Sequence, residues 1–226
     1  MKSDGFTYVP PTVTVDGVVF QVVDGQLVVL LIKRIREPFK SEWALPGGYS
    51  AAGETTGEAL DRILTAKAGV SVSHLSLVEQ LHTFDSIARD PRGHAVSITY
   101  MGLGERIAVD SRDAQTPQFF PLAQLPKLAY DHDKIIAYAH ERLKAKLVYT
   151  NVAFALLPPT FTFTQLQLVY EAILGMSLDK RNFRKKMLLL DFLDETSELS
   201  REGAHRPARL YAFRKHELET FARSFD

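Results

Sequence analysis

The sequence predicts an α/β (α+β) chain in two parts: a mixed sheet with flanking helices over residues 1–150, then a small unit of helices and a terminal strand pair over 151–226. Three observations carry that prediction. Val- and Leu-rich runs at 12–32 and 95–103 read as strands. Between them a Gly-rich loop opens one amphipathic helix, which Gly69 closes. Beyond Pro158-Pro159 the rhythm changes to two compact helices, the second strongly basic, and then to strands around a Gly/Pro loop.

Composition excludes several classes. At 226 residues, 46% of them hydrophobic, the chain can bury one large core or two small ones. Lys+Arg and Asp+Glu both total 27, so no global charge announces nucleic acid, and any such surface must be a local cluster. Without cysteine there is neither a disulfide nor a Cys-based zinc site. The chain contains no signal-peptide pattern and no apolar run of membrane length, so a soluble cytoplasmic protein is expected.

The elements follow in order. Thr12–Val23 alternates in part, Asp24-Gly25 offers a hairpin turn, and Leu27–Ile32 reads as a buried strand. Arg34 and Arg36 come next, two residues apart; they can point together at a polyanion or form a solvated basic turn. Leu60, Ile63 and Leu64 mark the inward face of the helix in 51–68, and Glu58 and Arg62 can pair at i, i+4. Val72–Thr83 and Ala95–Leu103 read as two strands. Arg89-Asp90-Pro91-Arg92-Gly93 between them suits a rim meeting phosphate or ribose, or a plain turn. A last strand around Phe119-Phe120 leads to a helix with Ile135, Ile136, Ala139, Leu143 and Leu147 as its stripe. Asp131 is expected to cap that helix beside a half-buried His132. It ends near 148–152, where we place the domain boundary.

In the last third, Thr164 and Gln167 form a capping-box pattern for a helix closed by Gly175. Asp179 caps a second helix, on which Phe183, Met187 and Leu190 face one way and Arg181, Arg184 and Lys185 another. Phe192-Leu193 and Leu210–Phe213 bracket a loop with three arginines. This is a winged helix-turn-helix pattern. Its basic groups gather on one helix and one loop tip: Lys180, Arg181, Arg184, Lys185, His205, Arg206 and Arg209. Such groups engage DNA phosphates, while Thr164, Gln165 and Asn182 have the polar atoms to approach bases. The alternative is a solvated basic helix packed on the neighbouring domain.

The stretch Leu45-Pro46-Gly47-Gly48 through Val70 resembles the Nudix box, matching it at Gly48, Glu54, Arg62, Leu64, Gly69 and Val70, and the resemblance implies that Glu54 accepts hydrogen bonds or pairs with Arg62. It departs at Ile63, Ala66 and Lys67, where the family has three metal-binding glutamates. Those positions are i, i+3 and i+4 on one helix and share a face. Ile and Ala cannot ligate Mg²⁺ and a Lys repels it, so no metal, no cofactor and no catalytic residue are expected.

With the Thr-Gln-Leu-Gln helix, the basic second helix and Arg206-Pro-Ala-x-Leu-Tyr, the chain from Thr12 to Phe213 resembles the Nudix-related transcriptional regulators of NAD metabolism, the NrtR family. That resemblance implies a homodimeric repressor of NAD biosynthesis or salvage genes that binds operator DNA and senses ADP-ribose or a related metabolite. Arg34, Arg36, Trp43, Gly47, Gly48, Lys67, Arg89 and Arg92 then become candidates for the effector pocket. Lys67 either replaces the Mg²⁺ charge or is an idle surface lysine. Two other readings compete: an ADP-ribose pyrophosphatase with an appended domain, and a sugar-sensing regulator of the same build.

Overall fold

The structure, a computed structural model, describes residues 9–110, 116–200 and 207–221, with the backbone of 2–3 and 6–7. Two short strands, β1 (Lys2–Ser3) and β2 (Phe6–Thr7), pair with each other. β3 (Thr12–Val23) and β4 (Gln26–Lys33) form the expected hairpin. Asp24 and Gly25 turn it with φ of 50° and 72°, the two positive values that match the twist of adjoining strands. β5 (Trp43–Ala44), β6 (Gly47–Tyr49), β7 (Leu77–Phe84), β8 (Ala95–Leu103) and β9 (Pro117–Pro121) complete a seven-stranded sheet. Its main path runs β5-β4-β3-β8-β7, with β6 beside β3 and β9 beside β4. The β3–β8 pair is parallel, from Thr12 opposite Ala95 to Phe20 opposite Leu103, and the other strand pairs described in this sheet are antiparallel.

Strand alternation assigns the two faces. Val15, Val19 and Leu30 pack against Ala59, Leu60, Ile63 and Leu64 of α1 (Thr56–Ala68). Val18, Phe20, Val29 and Leu31 face the other way, toward α2 (His132–Tyr149). There they join Ile135, Ile136, Ala139, Leu143 and Leu147, the stripe the sequence predicts.

Two expectations fail here for local reasons. Val72–Thr83 is not one strand: the Asp61 carboxylate accepts from Ser71 Oγ at 3.0 Å and Val72 N at 2.7 Å. That fixes a 3₁₀ turn over Val72–His74, and β7 starts only at Leu77. Asp131 precedes α2, yet its side chain makes no capping bond because Arg89 holds it.

α2 ends at Tyr149, and the core continues past the expected boundary. After α2, a buried 3₁₀ turn (Val152–Leu156) leads to β10 (Phe161–Thr162) and α3 (Phe163–Leu174). α4 (Lys180–Leu189), β11 (Leu193–Ser200) and β12 (Ala208–Phe213) follow, with β12 between β10 and β11. Leu166, Tyr170, Ile173, Phe183, Met187 and Phe213 belong to the same apolar cluster as Phe20 and Leu143. Asn151 ties the far end of the chain to the junction: its Nδ2 donates to the Glu217 carbonyl at 2.9 Å and its Oδ1 accepts from Glu219 N at 2.7 Å. Among the described residues, no helix is long and apolar enough to cross a membrane.

Candidate functional site

The box loop is built as the sequence predicts, with one change of partners. Thr55 caps α1, and Glu58 answers it, accepting from Thr55 N at 2.7 Å. Glu58 is therefore not the partner of Arg62. Arg62 donates instead to Glu54, at 2.9 and 2.5 Å, and to the Tyr49 carbonyl at 3.0 Å. Hydrogen bonds from Arg62 and from Ala51 N push the Glu54 carboxyl down to about 2. Gly69, at φ 68°, closes the helix.

On the face where Nudix hydrolases carry carboxylates, Ile63 is buried under the glycine turn; a Cβ on Gly48 would stand 3.3 Å from it. Ala66 is half-buried. Lys67, also half-buried, donates its ammonium to the Gly47 carbonyl. Gly47 must be glycine, because any Cβ there would collide with the Asp16 carboxylate. Among the described residues, no group of three or more His, Cys, Asp or Glu side chains could hold a metal ion.

Behind that turn lies a buried polar cluster which the sequence did not single out. Asp16 accepts from Ser97 Oγ at 2.5 Å and faces Arg89 at 3.7 Å and His132 Nε2 at 3.8 Å. His132 is fully buried, not half-buried. Its Nδ1 accepts from Leu45 N at 2.9 Å, so the ring clamps the start of the Gly-Gly turn. Burial pushes the imidazole below its usual range, against the pull of Asp16 and Asp131. Arg89 is not a rim group. It is buried, and forks onto Asp131 at 2.9 and 3.2 Å.

The rim itself is aromatic and basic. Arg92 is gripped by Asp90 at 2.7 Å and donates to Tyr49 Oη at 2.8 Å and Tyr130 Oη at 3.4 Å. Arg34 lies 4.8 Å over the Tyr130 ring and turns back to the Pro38 carbonyl at 2.8 Å. Arg34 also donates to the Arg36 carbonyl at 3.3 Å, while the Arg36 side chain is exposed. Phe39 meets Tyr130 edge-on at 4.8 Å. Trp43 turns away from this rim and packs on Phe120 at 4.6 Å. Tyr49, Tyr130 and Phe39 escaped the sequence reading because distant segments supply them. The left-handed φ of Phe39 (63°) and Tyr130 (57°) leaves no periodic signal.

In the second unit the first helix is capped two residues before the predicted cap. Thr162, not Thr164, accepts from Gln165 N, and Gln165 returns its amide oxygen to Thr162 N at 2.7 Å. Gln165 thus spends its acceptor on the cap, while Thr164 is exposed. Gln167 instead latches the turn between the helices, donating to Glu171 at 2.9 Å and the Leu178 carbonyl at 2.8 Å. Asp179 caps α4 through Asn182 N, as expected. Phe183 and Met187 are buried, and Lys180, Arg181, Asn182 and Lys185 are exposed. Arg184 is spoken for: it stacks 4.4 Å over Phe163 and donates to Tyr211 Oη at 2.7 Å. Arg209 emerges from β12; His205 and Arg206 lie outside the described residues.

Comparisons with known proteins agree with this geometry. A family profile for the NrtR DNA-binding winged helix domain matches residues 153–213, and one for the NUDIX domain matches residues 10–139. The ADPR responsive transcriptional repressor NtrR of Acinetobacter baylyi is 38% identical over 94% of this chain and 84% of its own. The crystal structure of Shewanella oneidensis NrtR complexed with a 27mer DNA is 34% identical, with a TM-score of 0.80 over 95% of this chain and 99% of that one. The NUDIX domain of the same Shewanella protein, complexed with ADP ribose, gives a TM-score of 0.56 at 36% identity over 60% of this chain and 90% of that one. An ADP-ribose pyrophosphatase of Methanocaldococcus jannaschii is 44% identical over 57% of this chain and 73% of its own.

Proposed function

Because the chain belongs to the NrtR family of Nudix-domain transcriptional repressors, we propose that it is an ADP-ribose-responsive, DNA-binding repressor without hydrolase activity. Residues 1–150 sense the effector and 151–226 grip duplex DNA, as a homodimer acting in the cytoplasm. What most supports this reading is the box helix. Ile63 serves as core, and Lys67 is bonded to the Gly47 carbonyl on the face that binds metal in a hydrolase.

In this mechanism protein cations replace the missing metal. Lys67, Arg34, Arg36 and Arg92 surround the diphosphate, the backbone near Gly47 and Gly48 approaches it closely, and Tyr130 and Tyr49 offer faces for a base. Arg89 and Trp43 support the wall from behind. On the DNA side, Lys180, Arg181, Asn182 and Lys185 enter the major groove, and Thr164, Arg209, His205 and Arg206 meet the backbone. A dimer holds its two recognition helices about 34–36 Å apart for successive grooves. The effector acts by binding the DNA-competent and incompetent states unequally.

A gel shift with promoter fragments of NAD-metabolism genes, with and without ADP-ribose and at two salt concentrations, tests the reading as a whole. Salt-sensitive binding that ADP-ribose changes is expected. Lys67→Glu should lower metal-free ADP-ribose affinity about tenfold or more by calorimetry, the scale of a charge-assisted hydrogen bond. Unchanged affinity would remove Lys67 from the site. The Methanocaldococcus relative favours one alternative, a pyrophosphatase. Sustained Mg²⁺- or Mn²⁺-dependent cleavage of ADP-ribose by pure protein would establish it.

A further inference from the structure

One polar chain crosses from the basic helix to the strand pair. Arg184 of α4 donates to Tyr211 Oη at 2.7 Å, and Tyr211 Oη donates to Glu195 Oε2 at 3.4 Å. The other oxygen of Glu195 is ion-paired with Arg209. The strands are irregular here for a reason. Glu195 stands opposite Tyr211 and Leu199 opposite Arg209, and the register shifts between them. Thr196 pins the irregularity, donating to the Leu210 carbonyl at 3.1 Å and accepting from Glu198 N at 3.3 Å. The bulge allows Glu195 to reach an arginine two positions along β12.

Glu195 therefore sits among the donors that a backbone phosphate would use: a guanidinium from β12 and the Tyr211 hydroxyl, which Arg184 polarises. Its carboxylate has the acceptor chemistry of a phosphate. Yet the side chains of Glu195 and Arg209 are 42% and 61% exposed, so water screens the pair and it is worth little. A duplex carrying one charge per about 1.7 Å competes with it readily.

We propose that Glu195 is an intramolecular competitor of DNA phosphate, which must give up Arg209 and Tyr211 before the strand pair can engage a duplex. The proposal builds on reading residues 151–226 as the DNA-binding unit. Glu195 touches no base, so it lowers affinity for all sequences alike and leaves sequence preference unchanged.

Fluorescence anisotropy with a labelled random-sequence 27-base-pair duplex, titrated between 50 and 200 mM salt, tests this. The proteins compared are the full chain, Glu195→Gln, Arg209→Ala and the double variant, with Glu195→Ala as a second removal of the charge. Both Glu195 variants are expected to bind about three- to tenfold tighter at 50 mM salt. Their log–log salt slope should steepen by about one, the signature of one more phosphate neutralised. The double variant should lose that gain. Equal affinity and slope in the full chain and both Glu195 variants, with binding itself salt-sensitive, would overturn the competitor role alone. Absence of any duplex binding by the unaltered chain would bring down the DNA-binding reading as well.

Discussion

His132 shows how one buried side chain ties stability to acidity. Its Nδ1 accepts from Leu45 N, which requires the neutral ring, and burial holds its pKa below the ordinary 6.5. In the unfolded chain the ring takes a proton near 6.5, so between that value and the depressed one the unfolded state binds more protons. Stability is therefore full above about 6.5 and falls as pH drops through that window. Half-buried His140 is shifted the same way, first by burial. The melting temperature should fall between pH 7.5 and 5.5, and His132→Asn should flatten that fall; an undiminished slope would place the linkage elsewhere. The sequence offered His132 only as a neighbour of Asp131. Its partners Asp16, Ser97 and Leu45 are far away in the chain, and no spacing rule connects them. Ile63, Ala66 and Lys67, by contrast, were legible at once, because a box with fixed spacing makes substitutions visible.

Among the elements, α3 explains why boundaries are harder to read than existence. Thr162-x-x-Gln165 and Thr164-x-x-Gln167 are both capping-box patterns, so the chain alone is ambiguous by two residues. Packing decides. Phe163 must start the helix to meet Tyr211 edge-on at 4.7 Å and approach Phe183, and Gln167 is then free to latch the turn before α4. Thr162→Ala should cost about 1 kcal/mol, whereas Thr164→Ala should cost only a few tenths; chemical denaturation of the two variants distinguishes these caps. The stretch 72–83 misled for a similar reason, since Asp61 reaches across from α1 to bend residues that look apolar enough for a strand. The end of α1 at Gly69 and the start of α4 at Asp179 were legible to the residue, because each carries its own capping residue.

For the molecule as a whole, α2 joins the two proposed functions. Its 18 residues span about 27 Å. Tyr130, Asp131 and His132 at one end belong to the cleft, while His140 further along donates to the Ile173 carbonyl at 2.7 Å, in the last turn of α3. His140→Ala should shrink the effect of ADP-ribose on DNA affinity severalfold while changing DNA affinity alone by less than twofold; an unaltered effect would exclude this route. The shared core could not be foreseen from a Pro-Pro pair and a change of rhythm, both of which suggest separable halves. The hairpin also meets α3, which packs against β4. A helix whose buried face shares the sheet's core has no loose hinge of its own and shifts only as that core shifts. News from the cleft would thus reach the groove-reading helix as one stiff displacement, like a push along a rod.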